Sequence, residues 1–112
     1  MGFPISAGLL DSMVLATVCV QDTYGYEITQ NIRKAVDVSE STLYPVLRRL
    51  QKSGYLETYD REYMGRNRRY YNITDSGKLA LDAYRRDWQD HKDKVDSILV
   101  NDYDEGEKND EN

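Results

Sequence analysis

The sequence predicts an α+β fold, mainly helical, and three observations predict it. Apolar residues recur at helical spacing through the first half of the chain. Two short runs rich in Tyr, Thr and Ile follow, separated by a stretch containing Gly65 and Asn67. A last helical pattern then starts at Thr74 and extends to about Val100. Helix, turn, helix, glycine stop, strand, basic loop and strand is the order of a winged helix-turn-helix, here carrying a long C-terminal helix.

Each element has its own signal. Ile5, Leu9, Leu10, Met13, Val14, Ala16, Val18 and Val20 make the first segment apolar on more than one side. Such a helix is buried broadly, in its own domain or against a partner subunit. Asp22 and Thr23 are cap-type residues, and Gly25, Ile28, Ile32 and Ala35 recur at helical spacing, giving a second helix from about Tyr24 to Ala35. After a turn at Val36–Val38, Leu43, Val46, Leu47 and Leu50 form the buried stripe of a third helix. Its opposite face carries Ser41, Pro45, Arg48 and Lys52, flanked by Tyr44 and Arg49. A proline inside a helix removes one backbone hydrogen bond. Either the regular helix starts near Thr42, leaving Pro45 in its first turn, or that first turn is distorted. Gly54 is a helix stop.

Tyr55–Arg61 and Arg68–Ile73 read as strands joined by a loop from Glu62 to Asn67. Side chains alternate along a strand, so Tyr70 and Tyr71 are expected on opposite faces. Thr74 and Asp75 cap the final helix. Three regions result: a winged helix-turn-helix DNA-binding domain over 1–73, a dimerisation helix over 74–100, and an acidic tail over 101–112. The tail has six acidic residues, one Lys and no aliphatic side chain, a composition expected to be disordered.

The net charge of −5 and the pI of about 4.8 conceal an uneven distribution. Residues 1–73 sum to +1, residues 74–112 to −6, and the stretch from Gln30 to Ile73 to +4. Phosphate binding depends on the local field at the contact face, not on the total. No apolar run approaches the ~20 residues needed to span a bilayer. The N-terminus lacks the pattern that directs export, and a lone Cys19 in an apolar run is expected as buried filler in a reducing compartment. Cytoplasmic residence without a membrane partner is expected. One His and one Cys give no usual metal spacing, and no phosphate loop or nucleophile elbow is present. The chain is therefore expected to be neither an enzyme nor the holder of a metal or cofactor.

The basic residues point to nucleic acid. Ser39, Ser41 and Thr42 place hydroxyls at the start of the third helix, where N–H groups favour phosphate; Tyr44, Arg48, Arg49 and Lys52 follow. Arg61, Arg66, Arg68 and Arg69 stand against only Glu62 around the hairpin tip, and a single-sign cluster suits backbone or groove contact. A solvated charged face would show some of these features, and a basic face docking an acidic protein is the competing function. The joint presence of a basic helix face and a basic hairpin favours double-stranded DNA.

Along the last helix Leu81, Tyr84, Trp88, His91, Val95 and Ile98 are spaced 3, 4, 3, 4, 3, a heptad seam. With Leu9 and Leu10 of the first helix, Leu81, Tyr84, Trp88, Val95 and Ile98 are the expected dimer contacts. Trp88, Tyr84, His91 and Met13 are the candidate ligand-binding residues, because an aromatic mid-seam can line a flat apolar pocket between subunits; the competing role is packing alone, with Trp88 structural and His91 a satisfied interface histidine.

With those residues in view, the chain resembles PadR-type transcriptional regulators of the smaller, single-C-terminal-helix branch. The matching segments are GLLDSMVLATV at Gly8–Val18, YGYEI at Tyr24–Ile28, STLYPVLRRLQKSGYL at Ser41–Leu56 and RRYYNITDSGK at Arg68–Lys78. The resemblance implies a homodimer built on the first and last helices and a pseudo-palindromic operator. It also implies repression, often at the protein's own promoter, relieved by a small molecule. It carries DNA contact over to Ser41, Thr42, Tyr44 and Arg48, and to the wing residues Arg66, Arg68 and Arg69 as a group. In multidrug-sensing members a tryptophan on the last helix stacks on planar aromatic ligands, and Trp88 stands at the corresponding place, fourteen positions after Thr74.

Overall fold

A computed structural model describes residues 7–100. Ile5 and the acidic segment 101–112 lie outside the described residues. The order is α1 (Ala7–Val20), β1 (Thr23–Tyr24), α2 (Gly25–Arg33), α3 (Glu40–Lys52), β2 (Leu56–Tyr63), β3 (Arg66–Ile73) and α4 (Asp75–Leu99). The three strands form an antiparallel sheet in the order β1-β3-β2. This is the α+β winged helix-turn-helix with a long C-terminal helix that the sequence predicts.

The core forms where the apolar faces of α1, α2 and α3 meet the sheet and the start of α4. Val14, Leu15, Val18, Ile28, Leu43, Leu47, Leu50, Leu56 and Leu81 are almost fully buried there. Each fully buried aliphatic side chain stabilises by about 1.5–3 kcal/mol relative to exposure, so this cluster rather than helix propensity holds the domain together. Tyr71 is buried on the inner face of the sheet and Tyr70 lies on the outer one, as strand alternation requires.

Several expectations are corrected. Leu10 and Leu81 belong to the core of a single chain, at 7% and 1% exposure, and so are closed to a partner. Cys19 is exposed, because it follows the last buried turn of α1. Thr23 and Tyr24 form a strand, pairing with Tyr71 and Tyr70, and α2 starts one residue later than expected with no side-chain cap. α2 also ends at Arg33, so the link to α3 spans residues 34–39. α3 begins at Glu40, two residues before Thr42, so Pro45 sits inside the helix. The hydrogen bond a residue at 45 would give the Ser41 carbonyl is forfeited at an exposed position, where water can replace it. The hairpin turn is shorter than the predicted loop, because pairing continues to Tyr63↔Arg66 and leaves only Met64 and Gly65 between the strands.

Helix ends are specified locally. Ser39 Oγ accepts from the Thr42 N–H at 3.3 Å, and Thr74 Oγ1 accepts from the Gly77 N–H at 3.0 Å. Gly54, at φ +82°, closes α3 with the Tyr55 N–H donating to the Leu50 carbonyl. Thr74 and Ser76 hydroxyls both donate to the Gly54 carbonyl, which ties the start of α4 to the end of α3.

Candidate nucleic-acid interface and helix groove

The basic residues converge on one groove of about 810 Å³ between α3, the start of α2 and the hairpin. Tyr44 and Arg48 come from α3, Arg66, Arg68 and Arg69 from β3, and Tyr24 and Tyr26 from the β1–α2 junction. Tyr44 leans on this junction: a Cβ at Gly25 would lie 3.0 Å from its ring, and its hydroxyl donates to Glu40 at 3.1 Å. Burial first, and then the bond to Glu40, hold the Tyr44 hydroxyl above its ordinary pKa. Burial also raises the Tyr71 hydroxyl above its ordinary pKa, opposed by the charges of Arg69 and Arg48.

The remaining candidates are placed differently. Ser41 and Thr42 are exposed at the start of α3, where Ser39 forms hydroxyl contacts to them at 2.9 and 3.2 Å in addition to its capping role. Lys52 is exposed on the last turn of α3, outside the groove walls. Arg49 does not line the groove. It pairs instead with Asp11 of α1, whose side chain is 11% exposed and also accepts from Tyr84 of α4 at 3.5 Å. The 100° step between neighbours on a helix turns Arg49 toward α1 when Arg48 faces the groove. Arg68 lies between two rings, 3.9 Å from the centroids of both Tyr24 and Tyr63.

A second groove, of about 600 Å³, runs between α1 and α4. It gathers all four residues proposed as ligand contacts: Met13 from α1, and Tyr84, Trp88 and His91 from α4. The Trp88 and His91 rings are 6.2 Å apart and tilted by 44°, and Trp88 remains 46% exposed. Leu9 also lines this groove. Farther along, Val95 is half-buried and Ile98 is exposed. Among the described residues, no three His, Cys, Asp or Glu side chains gather in a metal-binding arrangement, and no helix is long and apolar enough to cross a membrane.

The model of the transcriptional regulator PadR-like family matches residues 14–83, more than half of the chain and every element around the basic groove. This protein belongs to the PadR-like family. An uncharacterized protein of Lysinibacillus sphaericus is 37% identical over 100 residues, covering 85% of this chain and 92% of the relative. A crystal structure of a Streptococcus mutans protein matches with a TM-score of 0.83 and 44% identity, over 88% of this chain and 93% of the other. A PadR-like transcriptional regulator from Bacillus cereus matches with a TM-score of 0.76 and 31% identity, over 83% and 93%. The chain is thus a PadR-like transcriptional regulator with a winged helix.

In this PadR-like chain, sequence reasoning missed two features. Tyr24, Tyr26 and Tyr63 line the groove, whereas the sequence pattern places Tyr24 and Tyr26 only on a helix, and Tyr63 in a loop. Asp11 is the other. The signal for it was present, since it is the only charged residue before Asp22, set in an otherwise apolar helix. A charge in such a place is retained only with a partner.

Proposed function

We propose that this regulator binds double-stranded DNA as a homodimer at a pseudo-palindromic operator, its own promoter among the candidates, and represses from there in the cytoplasm. The observation that carries this reading is the convergence of Arg48 on α3 with Arg66 and Arg69 on β3 around one open groove. α3 enters a major groove, Ser41, Thr42, Tyr44 and Arg48 meet bases and phosphates, and the wing follows the flanking backbone. The dimer is supported by α4. Leu81 and Tyr84 of its first half pack with α1, while Ile98 and Leu99 near its end are 72% and 74% exposed. Apolar side chains on a seam this long call for a partner.

Titration against the protein's own upstream DNA, with a scrambled duplex as control and at two salt concentrations, tests the reading. Preference for the upstream duplex, falling steeply with salt, is expected. Arg48→Ala combined with Arg66→Ala should abolish the preference, and unchanged binding would sink the proposed face.

We further propose that a planar aromatic effector occupies the α1–α4 groove against Trp88 and changes the spacing of the two reading heads. Trp88 is the only tryptophan, so its fluorescence reports the groove directly. Quenching by planar aromatic compounds, together with loss of operator binding at the same concentrations, is the expected result. Quenching that leaves operator affinity intact would remove the regulatory role.

A further inference from the structure

The outer face of the sheet carries an aromatic ladder that the reading of the wing as a set of phosphate contacts does not explain. Tyr24 of β1 meets Tyr70 of β3 edge-on, with centroids 5.6 Å apart at 62°. Tyr70 in turn stacks on Tyr59 of β2, 5.6 Å away at 19°. Arg61 covers the Tyr70 ring at 5.3 Å. Arg68 completes the ladder, its guanidinium 3.9 Å from both the Tyr24 and the Tyr63 centroids.

The sheet topology gives this contact its importance. β1 is two residues long and pairs only with Tyr70 and Tyr71. Beyond Tyr70, the Arg66–Arg69 half of β3 has β2 as its sole neighbour in the sheet. The end of the wing is therefore a two-stranded overhang, an arrangement marginal in water without further support. Tyr63 is the last β2 residue before the turn, and Tyr24 is the residue from which α2 starts. Arg68 stands between them and joins the overhang to the helical body. A planar, delocalised guanidinium is suited to this place because it stacks on ring faces, which an ammonium cannot do in the same way.

We infer that Arg68 is a positioning residue: stacked between Tyr24 and Tyr63, it pins the wing and acts on DNA through the placement of Arg66 and Arg69, not through a phosphate contact of its own. The inference rests on the proposed DNA-binding role of the wing only for its second readout. It separates Arg68 from the two arginines with which sequence position had grouped it.

The test uses the full chain and two measurements. The first needs no DNA: amide hydrogen exchange over residues 61–68 in wild type, Arg68→Ala, Arg68→Lys and Tyr63→Leu. All three variants should exchange at least about tenfold faster at the wing, with helix amides unchanged, because each breaks the same stack. Arg68→Lys is the decisive variant, since it keeps the charge and loses the plane. The second measurement is the salt dependence of binding to the upstream duplex. Arg66→Ala should lower the slope of log K against log salt by about 1.8 in the proposed homodimer, one phosphate contact being lost from each subunit. Arg68→Ala and Arg68→Lys should weaken binding several-fold with the slope of wild type, because the loosened wing still docks Arg66 and Arg69 and only the cost of ordering it rises. Unchanged exchange at the wing, full activity of Arg68→Lys, or a slope lost in Arg68→Ala as in Arg66→Ala would each overturn the inference. If the wild type binds no duplex, the DNA-binding reading fails, and the exchange measurement alone decides whether Arg68 pins the wing.

Discussion

Asp11 shows how one residue can tie three helices together at a net electrostatic cost. Its carboxylate accepts from Arg49 of α3 and Tyr84 of α4, so it joins α3 to the helix that lines the Trp88 groove. Burial nevertheless holds its pKa above the ordinary 3.8, against the opposing charge of Arg49 and the hydrogen bonds from Arg49 and Tyr84. A carboxyl raised in the folded state favours protonation. Its stabilising contribution is complete below the unfolded-state value and is lost as pH rises through the folded-state value. Asp11→Asn keeps an acceptor oxygen and removes the charge. We expect it to be at least as stable as wild type at neutral pH, with the difference closing as pH falls toward 3.8. Paired urea denaturations across that range check the sign; a wild type that gains on the variant as pH rises would show that pairing outweighs burial. Arg49→Ala is the contrasting change. It leaves the buried carboxylate without its cation and should cost about 1–3 kcal/mol, read from the same denaturations.

At the scale of elements, the hairpin is set by its turn. Met64 at φ 51° and Gly65 at φ 78° are both left-handed, the arrangement that matches strand twist in a two-residue hairpin loop. Glycine adopts this freely, whereas methionine there is strained by about 1 kcal/mol. Met64→Asn should relieve part of that strain and raise stability by up to about 1 kcal/mol, seen as a higher denaturation midpoint. A lower midpoint would mean that the 85%-exposed Met64 side chain contributes packing the geometry does not reveal. The start of α4 is constrained in the opposite way. A Cβ at Gly77 would overlap the Tyr55 carbonyl oxygen and lie 2.7 Å from Ile73 Cγ1, so this glycine serves close approach and not a special φ.

For the whole molecule, charge and assembly are the relevant quantities. The segment 101–112 accounts for the entire net charge of −5. Ending the chain at Val100 should therefore strengthen binding to scrambled DNA at low salt while leaving the preference for the operator in place. Fluorescence anisotropy on both duplexes checks this, and unchanged non-specific affinity would mean that the acidic segment does not screen the basic groove. The proposed dimer has its own test. Ile98→Asp puts a charge on the exposed part of the seam without touching the core. It should shift the mass measured by light scattering toward the monomer and lower operator affinity more than tenfold, because two half-sites would no longer be bound together. A persistent dimer would place the interface elsewhere.

What the sequence determined by itself was whatever depends on near neighbours in the chain. The apolar stripe of α3, the cap at Thr74, the stop at Gly54 and the opposite facing of Tyr70 and Tyr71 all follow from periodicity and local hydrogen bonding. Tyr84, Trp88 and His91 line one groove because they share one helical seam, which is legible in the sequence, while Met13 joins them from α1. Tertiary structure decided what depends on residues distant in sequence. Leu81 and the seam residue Ile98 look alike in a heptad, yet one is buried in its own chain and the other is exposed, since only the first half of α4 lies over the body. Arg48, Arg49 and Arg68 look alike as basic residues. One faces the groove, one pairs with Asp11 and one is held between two rings, because charge and stacking act across contacts that only the folded chain creates.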